Sequence, residues 1–214
     1  MDMSKVTNGL VSVEPVQIIK EEEKKYQVIS SLKEKVAELQ NLLPDDVFNM
    51  SDFYFAGGCI YSLWNNVPPK DYDIFCRNKR AIKKIKAYFK RNKDKASSIT
   101  KNAITFGEFQ FITRHIGEPE TVVSEFDFRH NMFYFDGKSL ETLSSWRYLD
   151  DNKLAFNTER ARDILNVVLR TPKFVSRGME ISKKDMAEIL EKGTRPRKIL
   201  KERRGLKNTY RNDY

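Results

Sequence analysis

The stretch FAGGCIYSLWNNVPPKDYDIF, residues 55–75, constrains the fold of this 214-residue chain more than any other segment. Two glycines, Gly57 and Gly58, follow an aromatic run, which predicts a short strand that turns directly into a short helix. After a proline-containing loop, DYDIFC predicts a second strand. Alternate side chains of a strand share a face, so Asp71 and Asp73 should point to the same side, about 7 Å apart at their Cα atoms. The segment therefore requires a sheet that carries two neighbouring carboxylates.

A third carboxylate stands in the later segment SEFDFRHNMFYFD, whose alternating pattern predicts another strand. Its polar face would carry Asp127 and Arg129, and Asp127 would join Asp71 and Asp73 if the two strands are neighbours. Like charges on one face are costly without a cation, and carboxylates are the ligands that hard cations prefer. Each signal alone is weak, because a DxD is often a solvated edge and a glycine pair serves any tight turn.

The rest of the chain predicts an α+β protein with a short mixed sheet flanked by helices. A stripe of apolar residues at spacings of three and four predicts an N-terminal helix that packs on the core. Further helices are predicted for NKRAIKKIKAYFKRNK, with Asn78 as N-cap, for GEPETVV, for TERARDILNVVLRTPKFVSRG and for SKKDMAEILEKG, and a strand for ITFGEFQFITRHI. The predicted organisation is a flexible terminus (1–14), a helix (15–44), the core (45–150), a helical C-terminal part (151–192) and a basic tail (193–214).

The net charge of +9 is unevenly distributed. Residues 77–101 contain eleven Lys or Arg against one acid, and residues 193–214 contain eight against two. Such clusters suit a polyanion, because each basic side chain that meets a phosphate releases a condensed counterion. The alternative is a solvated helix face and a disordered tail.

Other features exclude several classes of protein. No apolar run is long enough to span a bilayer, and the N-terminus has no signal-peptide pattern. Cys59 and Cys76 have no metal-ligand spacing and predict buried thiols in a reducing, cytoplasmic location. His115 and His130 also lack ligand spacing, and His130 should be a core residue. The two tryptophans, Trp64 and Trp146, are expected in the core rather than as stacking platforms.

The combination of these motifs resembles the nucleotidyltransferase superfamily shared by DNA polymerase beta and the CCA-adding enzymes. The shared signature is a glycine pair after a strand, a DxD strand and a distant third carboxylate. Here thirteen residues separate Gly58 from Asp71, and fifty-four separate Asp73 from Asp127. Over roughly residues 50–180 the sequence also resembles small nucleotidyltransferase-like proteins of tailed bacteriophages. A protein of that kind would act in the host cytoplasm.

The resemblance implies a role for each matching position. Asp71, Asp73 and Asp127 would bind two Mg²⁺ ions, with Mn²⁺ as an alternative, and would form the catalytic site. Gly57 and Gly58 would contact the triphosphate of a bound NTP, with the Ser62 hydroxyl near by. The residues themselves suggest further phosphate or acceptor contacts at Lys70, Arg114, Arg129, Arg160 and Arg162. CCA-adding enzymes carry an Arg-Asp pair where this chain has IYSLW, so CCA addition itself is not expected.

The predicted function is therefore metal-dependent transfer of a nucleoside monophosphate from an NTP, with release of pyrophosphate. RNA, tRNA above all, would be the acceptor and would contact helix 78–93 and tail 193–214. Two alternatives stay open: nucleotidylation of a protein or small molecule, and a non-catalytic nucleic-acid-binding protein. The nucleotide, the number of residues added and the oligomeric state are not specified by the sequence.

Overall fold

The protein has an α+β fold, in which a seven-stranded mixed sheet is flanked by helices. The computed structural model describes residues 15–160 and 163–194. The predicted flexible terminus 1–14, Arg162 and residues 195–214 of the predicted basic tail lie outside the described residues. None of the described helices is long and apolar enough to cross a membrane.

Seven strands form the sheet in the order β3-β4-β5-β2-β1-β6-β7. All neighbouring strands are antiparallel except β2 and β5, which are parallel. The strands are β1 (Phe53–Ala56), β2 (Tyr72–Cys76), β3 (Ser98–Ile99), β4 (Ala103–Phe106), β5 (Phe109–Ile116), β6 (Phe133–Phe135) and β7 (Leu140–Thr142). The α-helices are α1 (Pro15–Leu42), α2 (Gly58–Trp64), α3 (Lys79–Arg91), α4 (Pro119–Val123), α5 (Arg147–Asp150), α6 (Ile164–Val175) and α7 (Lys183–Thr194).

The long helix α1 packs on the sheet through the predicted apolar stripe. Val28, Leu32, Leu39 and Leu43 are buried in the main hydrophobic core, together with aromatic residues of the central strands. The Lys35 ammonium, on the same helix, bonds both Glu38 and Glu108, at the turn before β5. The helix is therefore an integral part of the core, as predicted.

The basic helix α3 also forms as predicted. The Asn78 side chain caps it by accepting a hydrogen bond of 2.9 Å from the Ala81 amide, and five apolar residues on one side are buried. Its lysines and arginines lie on the opposite side, mostly exposed to solvent. None of the ion pairs found among the described residues includes a basic residue of α3.

The segment ITFGEFQFITRHI, predicted as one strand, is a β-hairpin. Strands β4 and β5 pair through Ile104 and Phe111, and the chain turns between them at Gly107, which has a φ of 58°. This positive φ favours glycine and reverses the chain direction, which the alternation of apolar residues alone does not reveal.

The predicted strand SEFDFRHNMFYFD was wrong for its first half. Only Phe133–Phe135 is a strand, and Asp127 and Arg129 lie in a bend and a 3₁₀ turn. Side chains from further along the chain bond the backbone here: the Asn157 amide donates to the Ser124 and Phe126 carbonyls at 2.7 and 2.9 Å. A carbonyl that accepts these bonds is satisfied without a neighbouring strand.

The C-terminal part packs as its own apolar cluster. Phe128, Phe156, Val167 and Ile189 are buried between the irregular segment and helices α6 and α7. Helix α6 is shorter than predicted, because it begins only after Asp163, whose φ of 51° is not helical. Helix α7 agrees with the prediction, and the Ser182 hydroxyl accepts a bond of 3.0 Å from the Asp185 amide at its start.

The packing of α1 predicts a large difference between two leucines of one helix. Leu32 is fully buried, whereas Leu42 at the helix end is 45% exposed. We expect Leu32→Ala to lower the free energy of unfolding by about 2–5 kcal/mol, because it leaves a cavity in the core. Leu42→Ala should cost less than about 1 kcal/mol. Urea unfolding of both variants checks this, and equal losses would contradict a docked α1.

Candidate active site

The glycine pair forms the turn from β1 into α2. Gly57 has a φ of 87°, a conformation that L side chains rarely adopt, and its amide donates to the Phe133 carbonyl at 3.2 Å. Gly58 opens the helix, and a Cβ built there would meet no atom within 4 Å. The Gly57 amide thus already donates a hydrogen bond to the neighbouring strand β6. Gly58 is the glycine beside which there is open space.

The two aspartates lie together beside this turn. Asp73 belongs to β2, and Asp71 is the residue just before that strand. Because β1 and β2 are antiparallel neighbours, the start of β2 lies beside the end of β1, where the glycine turn begins. Burial and then the negative charge of Asp71 raise the pKa of Asp73 to about 7, while the Lys173 ammonium acts in the opposite direction. The pair is a concentration of negative charge that a cation would relieve.

One member of the acidic pair, Asp71, lines a cleft of about 450 Å³. Four residues predicted from the sequence line it: Gly58, Ser62, Lys70 and Asp71. Residues at the end of α6 and just after it also line the cleft, including Phe174, Arg177 and Met179. The volume lies within the range of natural small-molecule sites.

Basic side chains surround the acids. Lys70 and Arg177 line the cleft, and the Lys173 charge acts on Asp73 from helix α6. Lys173 lies in the last turn of α6, and Arg177 lies in the turn that follows the helix. Neither was identified from the sequence, because only the packing of α6 brings them to the acidic pair.

Asp127 has other partners than the ones predicted. It is 9% exposed, and its two carboxylate oxygens lie 2.9 Å from Arg160 Nε and 2.5 Å from Arg170 Nη2. Arg160 also donates to the Glu125 carbonyl. The two arginines compensate the Asp127 charge, and a removed partner would leave a buried charge unpaired.

The remaining predicted cations lie away from the cleft lining. The Arg129 guanidinium lies 6.0 Å from the ring centroid of Tyr148, and Arg114 forms an ion pair of 3.6 Å with Asp163. Both cysteines are free and buried, as predicted. Trp64 and Trp146 stack on each other at 5.6 Å, and Trp64 is buried in the core, also as predicted.

The residues present fit one divalent cation better than two. Asp71 and Asp73 supply the oxygen donors that Mg²⁺ prefers and have no arginine partner among the ion pairs of the described residues. In the described part of the chain, no group of three Asp, Glu, His or Cys residues could hold a metal. Asp127 instead contacts two arginines, and its role as a metal ligand beside Asp71 and Asp73 stays a prediction.

The position beside Asp73 on the neighbouring strand is held by a neutral residue. Asp73 pairs in register with Gln110 of β5, so the two side chains share a face of the sheet. The FQF pattern in β5 indicates that Gln110 points away from the face that carries the two phenylalanines. The parallel pairing of β2 with β5, which makes Gln110 a neighbour of Asp73, cannot be predicted from that pattern alone.

Two residues that line the cleft each have a buried polar atom without a partner. Among the described residues, neither His130 Nδ1 nor Asn131 Oδ1 has a hydrogen-bond partner, although both atoms are buried. His130 is buried among aromatic rings, as predicted for a core residue. Burial lowers the pKa of His130 to about 3, so its ring is neutral at neutral pH.

The fold is that of the nucleotidyltransferases. The chain is similar to the CCA-adding enzyme of Bacillus stearothermophilus, solved with CTP, at 16% identity and a TM-score of 0.51, over 65% of this chain and 38% of that one. It is also similar to the Thermotoga maritima CCA-adding enzyme, solved with tRNA, at 14% identity and a TM-score of 0.50, over 86% and 43%. The chain thus corresponds to less than half the length of these enzymes.

The family is shown by a separate comparison. Residues 19–159 match the model of the family described as Gabija anti-defense 2, or Gad2, and the chain belongs to this family. No curated protein sequence matches the chain.

The arginine contacts of Asp127 predict its response to substitution. Asp127→Asn should lower the free energy of unfolding by about 3 kcal/mol, because Arg160 is largely buried and would lose its counter-charge. Urea unfolding without added metal measures this. If Asp127 lay among other carboxylates without a cation, its removal would raise the free energy of unfolding. A stabilising Asp127→Asn would therefore contradict the pairing of Asp127 with the two arginines.

The raised pKa of Asp73 predicts a pH-dependent effect of the opposite sign. Between the ordinary pKa of about 4 and the folded value of about 7, the folded state binds more protons, so stability falls as pH rises. Asp73→Asn removes this loss and should stabilise the protein by about 1–3 kcal/mol at pH 8 and by nothing measurable at pH 4. Thermal unfolding at the two pH values checks this, and an equal effect at both would contradict it.

Proposed function

We propose that the protein is a metal-dependent nucleotidyltransferase that moves a nucleoside monophosphate from an NTP to a macromolecular acceptor. A bond forms between the acceptor hydroxyl oxygen and the α-phosphorus, the hydroxyl proton passes to solvent, the bond from the α-phosphorus to the bridging oxygen breaks, and pyrophosphate leaves. The observation that carries the proposal is the pair Asp71 and Asp73, of which Asp71 lines a cleft together with Lys70 and Arg177.

The charges around the cleft support binding of a metal–triphosphate complex. A divalent cation held by Asp71 and Asp73, Mg²⁺ with Mn²⁺ as the alternative, would stabilise the charge that develops on the phosphates. Lys70, Lys173 and Arg177 would bind the phosphate oxygens, with the Ser62 hydroxyl and the open space at Gly58 near by. These groups orient the α-phosphate for attack, which accounts for much of the catalysis in phosphoryl transfer.

The acceptor that the charges favour is a nucleic acid, RNA in the first place. The outer face of α3 presents several basic side chains to solvent, with no counter-charge among the ion pairs of the described residues. A surface of this kind binds a phosphate backbone without reading its sequence. The structurally similar enzyme of Thermotoga maritima was solved with tRNA, which supports this class of acceptor.

Family membership supports a role against the Gabija defence, by analogy with the family description. Modification of a nucleic acid or a protein that this defence requires would connect the transfer reaction with that role. The protein would then act in the cytoplasm of the cell in which the defence operates.

The second candidate is a non-catalytic binding protein with the same fold. The contacts of Asp127 favour it, because two arginines occupy a carboxylate that the resemblance assigned to metal binding. Against it, Asp71 and Asp73 are both present, and Asp71 lines a cleft of ligand size. Substitution of these aspartates distinguishes the two candidates, because it should abolish transfer by an enzyme and leave RNA binding by a binding protein intact.

The test is transfer of label from an NTP. The purified protein is incubated with Mg²⁺ and each α-³²P-labelled NTP in turn, in the presence of total RNA and total cell protein. We expect label on an acceptor, reduced at least about 100-fold in Asp71→Asn and in Asp73→Asn, because the cation site would be lost. Asp46→Asn, at an exposed aspartate away from the cleft, is the matched control and should keep full transfer.

The location of the label then identifies the acceptor class. Label on RNA supports the favoured acceptor, and label on protein supports the alternative. Absence of label with every NTP, together with RNA binding that survives Asp71→Asn, would overturn the enzyme proposal in favour of the binding protein.

A further inference from the structure

The outer face of helix α3 concentrates positive charge that nothing else in the described structure compensates. The helix sequence, KRAIKKIKAYFKR, contains seven Lys or Arg and no acid. Six of the seven are exposed, and Lys84 is half-buried. In the described part of the chain, none of them takes part in an ion pair. Like charges this close together repel one another, so the face suits an anionic partner that extends along the helix.

The basic side chains of this face form two rows along the helix. The first row contains only lysines, at spacings of four, three and four: Lys79, Lys83, Lys86 and Lys90. Residues at these spacings lie one above another on one side of a helix, so the row has a lysine on each turn and extends over about 16 Å. The second row lies beside the first and consists of Arg80, Lys84 and Arg91. The face is therefore long enough for several phosphates and two rows wide.

The same face lacks the features by which proteins bind single-stranded nucleic acid. Single strands are bound in grooves, where bases stack on aromatic side chains. The two aromatic residues of α3, Tyr88 and Phe89, are buried on the side that packs on the core. Among the described residues, Tyr26 on α1 is the one aromatic side chain that is largely exposed. The outer face of α3 is convex and basic, so it can contact phosphates and offers no surface to an unstacked base.

We propose that the outer face of α3 binds the phosphate backbone of a nucleic-acid duplex, with the lysine row along one strand and the second row toward the other strand. The inference names the form of nucleic acid that the proposed function takes as acceptor. It rests on the proposed function for the role of the duplex in the reaction, whereas binding of the duplex is measured without transfer.

The electrostatics of the two forms of nucleic acid favour the duplex. Each basic side chain that meets a phosphate releases about 0.9 of a counterion from duplex DNA and about 0.7 from a single strand. Where bases contribute nothing by stacking, this release supplies the binding free energy. A duplex also holds its phosphates at a fixed spacing, whereas a single strand would lose conformational entropy when it aligned with the lysine row.

The test is the affinity of the full chain for fluorescently labelled duplexes and for their separate strands, measured by anisotropy. Duplex RNA and duplex DNA of one mixed sequence are both used, because their phosphate chemistry is the same. We expect a duplex to bind at least about tenfold more tightly than either of its strands at about 50 mM salt. The duplex that binds more tightly, RNA or DNA, identifies the source.

A double variant assigns the binding to the lysine row. Lys83→Ala/Lys86→Ala removes two phosphate contacts, and alanine at exposed helix positions keeps α3 helical. We expect the slope of log K against log salt to become shallower by about 2, and duplex affinity at low salt to fall about tenfold. Lys183→Ala/Lys184→Ala, at two exposed lysines of α7, is the matched control and should change neither quantity. Thermal unfolding measures whether both variants are folded.

The outcomes separate this inference from the proposed function. Equal or tighter binding of the single strands would overturn the assignment to a duplex. Unchanged duplex binding by the folded Lys83→Ala/Lys86→Ala variant would overturn the assignment to α3. Absence of binding to every nucleic acid would overturn the inference as a whole and favour an acidic protein as the partner of this face. Duplex binding through α3 without transfer of label from any NTP would instead overturn the enzyme and leave this inference standing.

Discussion

The central position of β2 is the constraint on which the rest of the structure depends. This strand lies between the antiparallel β1 and the parallel β5, so that Asp73 stands in the middle of a sheet whose core is aromatic. A carboxylate there is costly unless something compensates it, and burial raises its pKa accordingly. The glycine turn, the basic side chains of α6 and the open cleft are all arranged around that one charge.

The C-terminal part is tied to the core through polar contacts that hold the segment around Asp127. Asn157 bonds the backbone on both sides of Glu125, and Arg160 and Arg170 contact the Asp127 carboxylate. These contacts position α6, and α6 carries Lys173 to the acidic pair. Asp127, which the resemblance matches to a third catalytic acid, thus contacts the helix that also lines the cleft, and Gln110 lies beside Asp73 on β5.

Local patterns were sufficient for much of this architecture. A few adjacent residues are enough to predict each of four features: the apolar stripe of α1, the cap and basic face of α3, the glycine turn, and the DxD strand. The hairpin at Gly107 was not predicted, because a turn residue can interrupt a run of alternating apolar residues. The irregular backbone at Asp127 was not predicted either, because hydrogen bonds from the Asn157 side chain replace those of a strand. The same reason applies to Lys173, Arg177 and Asn131, which long-range packing alone brings to the site.

The residues that line the cleft come from two distant parts of the chain. Gly58, Ser62, Lys70 and Asp71 belong to the segment that carries the glycine turn and the acidic pair. Phe174, Arg177 and Met179 follow about a hundred residues later, at and beyond the end of α6. The shape of the cleft therefore depends on a tertiary contact, so a substitution that loosens the packing of α6 would open the cleft while both carboxylates of the acidic pair remained in place.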